Sequence, residues 1–203
     1  MNVKQRLGIF GGTFDPPHVG HQILASEAAY QLSLDKVLWV LTPHPPHKRD
    51  HKITPLEDRM TMVSAAIDAD STFELSRIEI DRSPPHYAVD TVNLLHKRYP
   101  EAELVYLIGS DSLRHLTNWY DAQGFVDACD GLGVMCRPGE EADLRALEDH
   151  IHGIAEKVAF IDAPLLEISS SEIRERIFSG GTFRYYLPLE VYKIILRLNL
   201  YKA

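Results

Sequence analysis

Two histidines stand three residues apart just after a glycine pair, in Gly11-Gly12-Thr13-Phe14-Asp15-Pro16-Pro17-His18-Val19-Gly20-His21. Paired glycines let backbone N–H groups approach a ligand closely. The spacing puts His18 and His21 on one face of a first helical turn, and Gly20 leaves room there for a flat group or a phosphate. A helix starting at Val19 would point its positive end at the same place, which favours an anion. Two imidazole donors beside such a turn suit a phosphate whose charge grows in a transition state. Two plainer readings stand beside this one: a capped turn holding two satisfied histidines, and a zinc pair, for which no third ligand lies nearby in the sequence. The dinucleotide fingerprint G-x-G-x-x-G and the P-loop G-x-x-x-x-G-K-[ST] are both absent.

A second cluster is Ile168-Ser169-Ser170-Ser171-Glu172-Ile173-Arg174. Ser169 can cap a helix and Glu172 can complete a capping box. The hydroxyls and free N–H groups of that turn can hold phosphate oxygens, and Arg174 can fork onto the same anion. The alternative is a well-capped helix with a solvated arginine. His44, His47 and His51 with Lys48 and Arg49 form a local basic loop. It reads as a phosphate-binding loop with Lys48 as the working charge; a metal site is disfavoured by the adjacent cations, and a solvated loop is the bland alternative. Asp111, after Ile108-Gly109-Ser110, suits ribose hydroxyls or a helix N-cap. Trp119-Tyr120 offers an aromatic face on which a flat ring can stack, more strongly when the ring is cationic, unless Trp119 is core. Arg137 follows a strand and adds a charge unless it is solvated, whereas Trp39 lies inside a strand run and reads as core.

The elements that must position these residues alternate. Apolar runs at Leu7–Phe10, Val37–Leu41 and Leu104–Ile108 read as buried strands, with shorter candidates at Val134-Met135 and Val158–Ile161 and a half-wet strand over Phe73–Ile80. Helices are expected over Val19–Leu32, from Thr54, over Tyr87–Tyr99, Asp143–His152, Ser169–Ile177 and Pro188–Leu198. Thr54 is the expected cap of the second, with Pro55 at its first position and Glu57 completing a capping box; Met60, Val63, Ala66 and Ile67 form its core face. Strands alternating with such helices predict an α/β fold: a Rossmann-like parallel sheet with helices on both faces, its ligands bound beyond the carboxyl ends of the strands. At 203 residues, with no repeat and no linker, the expectation is a single domain over 1–203. Lys+Arg 21 against Asp+Glu 29 gives a net charge of −8, a poor match for nucleic acid or an anionic membrane. Cys129 and Cys136 fit no zinc, redox or disulfide framework and read as reduced structural thiols. With no apolar leader and no spanning run, the expected location is the cytoplasm. The sequence is compatible with a homo-oligomer and does not set the oligomeric state.

The Gly11–His21 stretch is similar to the (H/T)-x-G-H signature of the nucleotidyltransferase α/β-phosphodiesterase superfamily, and Ile168–Arg174 looks like its second signature, I-S-S-x-x-I-R. Nearly the whole chain resembles the bacterial nicotinate-nucleotide adenylyltransferases. Thr42-Pro43-His44-Pro45-Pro46-His47-Lys48, Ile108-Gly109-Ser110-Asp111 and Asn118-Trp119-Tyr120 narrow the resemblance to that branch. It implies the nucleotidyltransferase (HIGH-type) fold and transfer of AMP from ATP to nicotinate mononucleotide in NAD biosynthesis. It implies catalytic roles for His18, His21, Lys48 and Arg174. ATP would contact Gly11, Gly12, Thr13, Phe14, His18, His21, Gly109, Asp111, Ile168, Ser169, Ser171 and Arg174. Nicotinate mononucleotide would contact Thr13, Phe14, Lys48, Ala88, Trp119, Tyr120 and Arg137.

Arg82 to Thr91 resembles the family's S-Y-T-x-D-T segment, with Ala88 in place of the middle threonine. Backbone N–H groups at that helix start are then expected to hold the nicotinate carboxylate. Mg²⁺ is expected to arrive on the triphosphate and its waters, with no metal site built by the protein. Within the superfamily the rival is phosphopantetheine adenylyltransferase, disfavoured by the longer chain, Trp119 and the Pro-His-Lys loop. A non-catalytic nucleotide sensor would be expected to lose His18 or His21, and both are present.

Overall fold

The computed structural model of the chain describes residues 4–44, 53–136, 143–164 and 166–202. Six strands, β1 (Arg6–Gly12), β2 (Lys36–Leu41), β3 (Phe73–Ser76), β4 (Glu103–Gly109), β5 (Gly131–Cys136) and β6 (Val158–Asp162), form one sheet in the order β3-β2-β1-β4-β5-β6. All five pairings are parallel, so every carboxyl end lies at the same edge. The helices between them are α1 (Val19–Gln31), α2 (Leu56–Ile67), α3 (Ala88–Arg98), α4 (Ser110–Arg114), α5 (Ala122–Ala128), α6 (Leu144–Glu148) and α7 (Ile154–Lys157); α8 (Ser170–Phe178) and α9 (Leu189–Leu198) follow the last strand.

The alternation of strand side chains builds two cores. Phe10, Val37, Trp39, Leu41, Val105 and Leu107 face one side, where α1, α2, α8 and α9 cover them. Leu7, Ile9, Leu38, Val40, Leu104 and Ile108 face the other, under α3, α4 and α5. Trp39 is fully buried, as its place inside a strand required. The expected parallel sheet with helices on both faces is therefore what the chain forms. Among the described residues no helix is long and apolar enough to cross a membrane. The Cys129 thiol is buried and pushed up to about 12 by desolvation, which keeps it protonated and unreactive; the Cys136 side chain lies outside the described residues.

Several boundaries differ from the sequence expectation, each for a visible reason. The strand expected over Phe73–Ile80 stops at Ser76. It is an edge strand, and the Ser76 hydroxyl accepts from the Ile78 amide, turning the chain toward a loop closed by the Asp81 amide on the Arg77 carbonyl. The Thr54 capping box does not form. Pro55 is the N-cap of α2, without a side-chain cap, because Thr54 is tied elsewhere: its amide donates to Asp15 and its carbonyl accepts from Arg59. Met60 is only partly buried; Arg59, Met62, Val63, Ala66 and Ile67 are the buried residues of α2. The helix expected over Asp143–His152 ends at Glu148, whose carboxylate instead accepts from the amides of Gly153 and Ala155 at the start of α7. Helix α5 and the short 3-10 turns at Leu116–Asn118 and Arg184–Tyr186 carried no signal strong enough to be placed from sequence.

Candidate active site

The Gly11-Gly12 pair closes β1, and each glycine answers to a neighbour. A Cβ on Gly11 would lie 2.8 Å from the Tyr106 hydroxyl, and one on Gly12 would strike the Phe14 ring at 2.8–3.0 Å. Phe14 has a positive φ of 46° and is buried. Its ring meets His21 edge-on at 5.1 Å, so the Phe14 side chain is a support for His21 rather than an open ligand surface.

His18 is the N-cap of α1. Its ring stacks on His21 with centroids 3.6 Å apart, on the shared face that the spacing predicted. Gly20 makes room for it, since a Cβ there would come within 3.0 Å of His18 Nδ1. The His18 amide donates to His21 Nδ1 at 3.1 Å. An acceptor at Nδ1 leaves the His21 proton on Nε2, so the far side of that ring is a donor. His18 Nδ1 is buried with no hydrogen-bond partner among the described residues, and desolvation lowers the His18 pKa to about 4. His18 is thus neutral at pH 7. The same shift predicts a stability effect. Between the unfolded value of 6.5 and about 4, the unfolded chain takes up a proton that the folded chain refuses. Stability is full above that window, falls as pH drops through it and levels off below. The expected loss is about 3 kcal/mol, read by urea unfolding at about pH 7.5 and about pH 4. The His18→Gln variant should show a correspondingly smaller loss, and an equal loss would contradict the assignment.

The second signature is physically joined to the first. Ser169 caps α8 by accepting from the Glu172 amide at 3.1 Å. Ser170 Oγ donates to the Pro16 carbonyl at 2.8 Å, and Arg174 donates to the Asp15 carbonyl at 2.7 Å and to Ser171 Oγ at 3.2 Å. A Cβ on Gly20 would lie 3.9 Å from the Ile168 Cβ, in ordinary contact. The capping box expected here is only half present, because Glu172 turns to Arg176 at 2.7 and 3.0 Å instead of returning to Ser169. Arg174 therefore braces the turn before His18.

Sequence reasoning missed the residue that ties these loops together. Arg59 is 2% exposed. Its guanidinium donates to the carbonyls of Thr54, Thr13, Thr42 and Pro43 at 2.9–3.0 Å. Burial lowers its pKa while the nearby Asp15 carboxylate raises it. Asp15, also buried, accepts from the Tyr201 hydroxyl at 2.6 Å and from the Thr54 amide at 3.2 Å. The one available signal was a cation on the apolar face of α2, at helical spacing from Val63 and Ala66.

A cavity of about 700 Å³ opens at the carboxyl ends of β1 and β4. Gly11, Gly12, Thr13 and Gly109 line it on the sheet side, and Ala88, Trp119 and Tyr120 across from them. Trp119 is half-buried, packed 5.2 Å from Phe125 on one side while bordering the cavity on another. It serves the core and the site together. Tyr120 is exposed and stacks on Tyr87 at 4.0 Å. The N-cap of α3, Tyr87, provides no side-chain cap, so the first-turn N–H groups beginning at Ala88 have no side-chain acceptor from it. Two residues not singled out from sequence, Glu79 and His86, border the same cavity and are both buried.

Phe14, His18, His21, Ile168, Ser169, Ser171 and Arg174 lie in or around the imidazole turn rather than in the wall of this cavity. Asp111 is in the first turn of α4, not at its cap, which is Gly109; its exposed carboxylate pairs with Arg114. Lys48 and Arg137, with His47 and His51, lie outside the described residues.

A six-stranded parallel sheet carrying a glycine turn, an imidazole pair and a serine-capped helix start fastened to the same turn defines an α/β nucleotidyltransferase. A model of the cytidylyltransferase-like family matches residues 9–176, and the chain belongs to that family, in the branch of the nicotinate-nucleotide adenylyltransferases. A protein of Thermomicrobium roseum described as a probable nicotinate-nucleotide adenylyltransferase is 40% identical, over 98% of this chain and 92% of its own. The nicotinate-nucleotide adenylyltransferase of Bacillus subtilis is 36% identical over 98% of this chain and all of its own. The fold is also that of the Plasmodium falciparum nicotinic acid mononucleotide adenylyltransferase solved with NaAD, with a TM-score of 0.80 at 20% identity, over 97% of both chains.

Proposed function

We propose that this chain is an enzyme that transfers AMP from ATP to nicotinate mononucleotide, giving nicotinate adenine dinucleotide and pyrophosphate. The observation that carries the reading is the junction of the two signatures beside an aromatic-walled cavity: Arg174 and Ser170 fasten the turn that presents His18 and His21.

The mononucleotide phosphate attacks the α-phosphorus of ATP in line. The bond from that phosphorus to the bridging oxygen breaks, and pyrophosphate leaves with the electron pair. The attacking phosphate is already an anion at pH 7, so the step needs no general base and no nucleophilic side chain. Catalysis is positioning and charge stabilisation. His21 Nε2–H donates to the charge growing on the α-phosphate, its ring fixed by the His18 amide and by the stacked His18 ring. Lys48 and Arg174 are assigned to the phosphates, and Asp111 to a ribose. Mg²⁺ enters as part of the nucleotide substrate, on phosphate oxygens and water. Among the described residues no group of three or more His, Cys, Asp or Glu side chains could hold an ion. The reaction is assigned to the cytoplasm, with ATP and nicotinate mononucleotide as the partners.

The pyridine ring is assigned to Trp119 and its carboxylate to the uncapped start of α3. Trp119→Ala is expected to weaken mononucleotide binding by about 1–2 kcal/mol, seen as a raised KM for the mononucleotide with KM for ATP little changed. A variant that loses only folding stability would place Trp119 in the core alone. The function itself is tested by pyrophosphate release from ATP with different acceptors. Nicotinate mononucleotide should support turnover and phosphopantetheine should not; turnover with phosphopantetheine alone would transfer the chain to the rival reading, and none with any acceptor would favour a sensor.

A further inference from the structure

We propose that Arg82, Glu79 and Thr91 act together as positioning residues that hold the start of α3 so that its first-turn N–H groups select the acid form of the pyridine mononucleotide. The inference rests on the reading above that nicotinate mononucleotide is the acceptor.

Arg82 lies in the loop after β3 and reaches across to the segment entering α3. Its Nη1 donates to the Pro85 carbonyl at 3.0 Å, and its Nη2 donates to the Tyr87 carbonyl at 3.1 Å and to Thr91 Oγ1 at 3.0 Å. Thr91 Oγ1 in turn donates to Glu79 Oε1 at 2.7 Å. Glu79 and Thr91 are 3% and 0% exposed, so this chain of bonds runs through the interior. The Tyr87 carbonyl also receives the Thr91 amide. In a planar trans peptide the carbonyl of one residue and the N–H of the next point opposite ways. With the Tyr87 carbonyl held toward Arg82 and into the helix, the Ala88 N–H is turned out of the helix start. Tyr87 and Ala88 both line the cavity.

Charge alone does not account for Arg82. Asp90 lies 3.5 Å from its Nη1, so a carboxylate already offsets the guanidinium. What remains is the fork, which fixes two carbonyls and a hydroxyl at once. A second observation points to a polar ligand at this end of the cavity. His86 Nδ1 is buried without a hydrogen-bond partner among the described residues, and His86 lines the same cavity as Ala88. Buried polar atoms are ordinarily paired, so a cavity bordered by an unpaired imidazole nitrogen fits a ligand with a polar end.

The test measures kcat/KM for nicotinate mononucleotide and for its amide analogue, by pyrophosphate release, in the wild type and in Arg82→Lys, Thr91→Val and Thr91→Ser. Thermal unfolding and KM for ATP are followed alongside. Wild-type turnover of the acid tests the functional reading separately; its absence removes that reading and this inference with it. Given that turnover, Arg82→Lys and Thr91→Val should each lower the acid-to-amide ratio by about tenfold, the scale of one weakened charge-assisted hydrogen bond. KM for ATP should stay within about twofold, and Thr91→Ser should restore the ratio. Arg82→Lys keeps the charge and loses the fork, so it separates orientation from attraction. Should it fail to fold, the nearly isosteric Thr91→Val carries the test. A wild-type ratio in a folded Thr91→Val enzyme, or a Thr91→Ser enzyme as unselective as Thr91→Val, would overturn the proposal.

Discussion

Arg59→Met is expected to cost about 3–5 kcal/mol of folding stability, the scale of breaking a buried charge network from one side. The methionine would occupy similar space, so the loss is electrostatic rather than a cavity. It would leave the Thr54, Thr13, Thr42 and Pro43 carbonyls without their shared donor, and the buried Asp15 carboxylate without its nearby cation. Arg59→Lys should recover only part of the loss, because an ammonium keeps the charge but cannot span four carbonyls. Urea unfolding at neutral pH measures both. A loss below about 1 kcal/mol for Arg59→Met, within reach of an ordinary surface change, would show that the loops hold their places without the guanidinium.

The second large effect is on catalysis. His21→Ala should lower kcat by at least about 10²-fold, as for loss of one preorganised transition-state donor, while ATP affinity changes far less. The reason is the orientation of the ring. The His18 amide occupies His21 Nδ1, Phe14 meets the ring on its edge, and the proton is left on the outward nitrogen. That donor matters most when charge accumulates on the phosphate, so its loss appears in kcat before KM. Steady-state kinetics with ATP and nicotinate mononucleotide decide the matter, and near-wild-type turnover would remove His21 from the chemistry.

These two residues also show what the sequence could and could not carry. His18 and His21 were legible because their relation is local: a spacing of three on a helix start fixes a shared face whatever surrounds it, and Gly20 between them has a steric reason visible in the fold. The Ser169 cap was legible on the same ground, and the buried strands because runs such as Val37–Leu41 have one stable placement in a parallel sheet. Arg59 was not, since its acceptors come from Thr13, Thr42, Pro43 and Thr54, and only the folded chain brings those carbonyls to one point. Tyr201 reaches Asp15 across 186 residues, which no local pattern encodes. Glu57 and Glu172 show the opposite error: both stand at capping-box spacing, yet Thr54 is drawn to Asp15 and Arg59, and Glu172 finds Arg176. These signals lost where an opposite charge one helical turn away, as for Glu172, or a buried partner, as for Thr54, was available. Glu79 was read inside a half-wet strand and His86 carried no signal of its own, because their importance lies in facing a cavity formed by residues from several separate segments.

Acid selectivity is the property on which the assignment of the α3 helix start stands or falls. The nicotinate carboxylate is an anion and the amide is neutral, and an uncapped helix start holds the anion by its dipole and by charge-assisted hydrogen bonds. Two such bonds at about 1.5–3 kcal/mol each separate the two forms by roughly 10²-fold or more. The measurement is kcat/KM for nicotinate mononucleotide against its amide analogue, with ATP saturating, in the wild-type enzyme and in Ala88→Thr. The ratio is expected to be roughly 10² or more in favour of the acid, and nearly unchanged when Ala88 gains a hydroxyl, because main-chain N–H groups supply the contacts. A ratio near one would contradict the assignment.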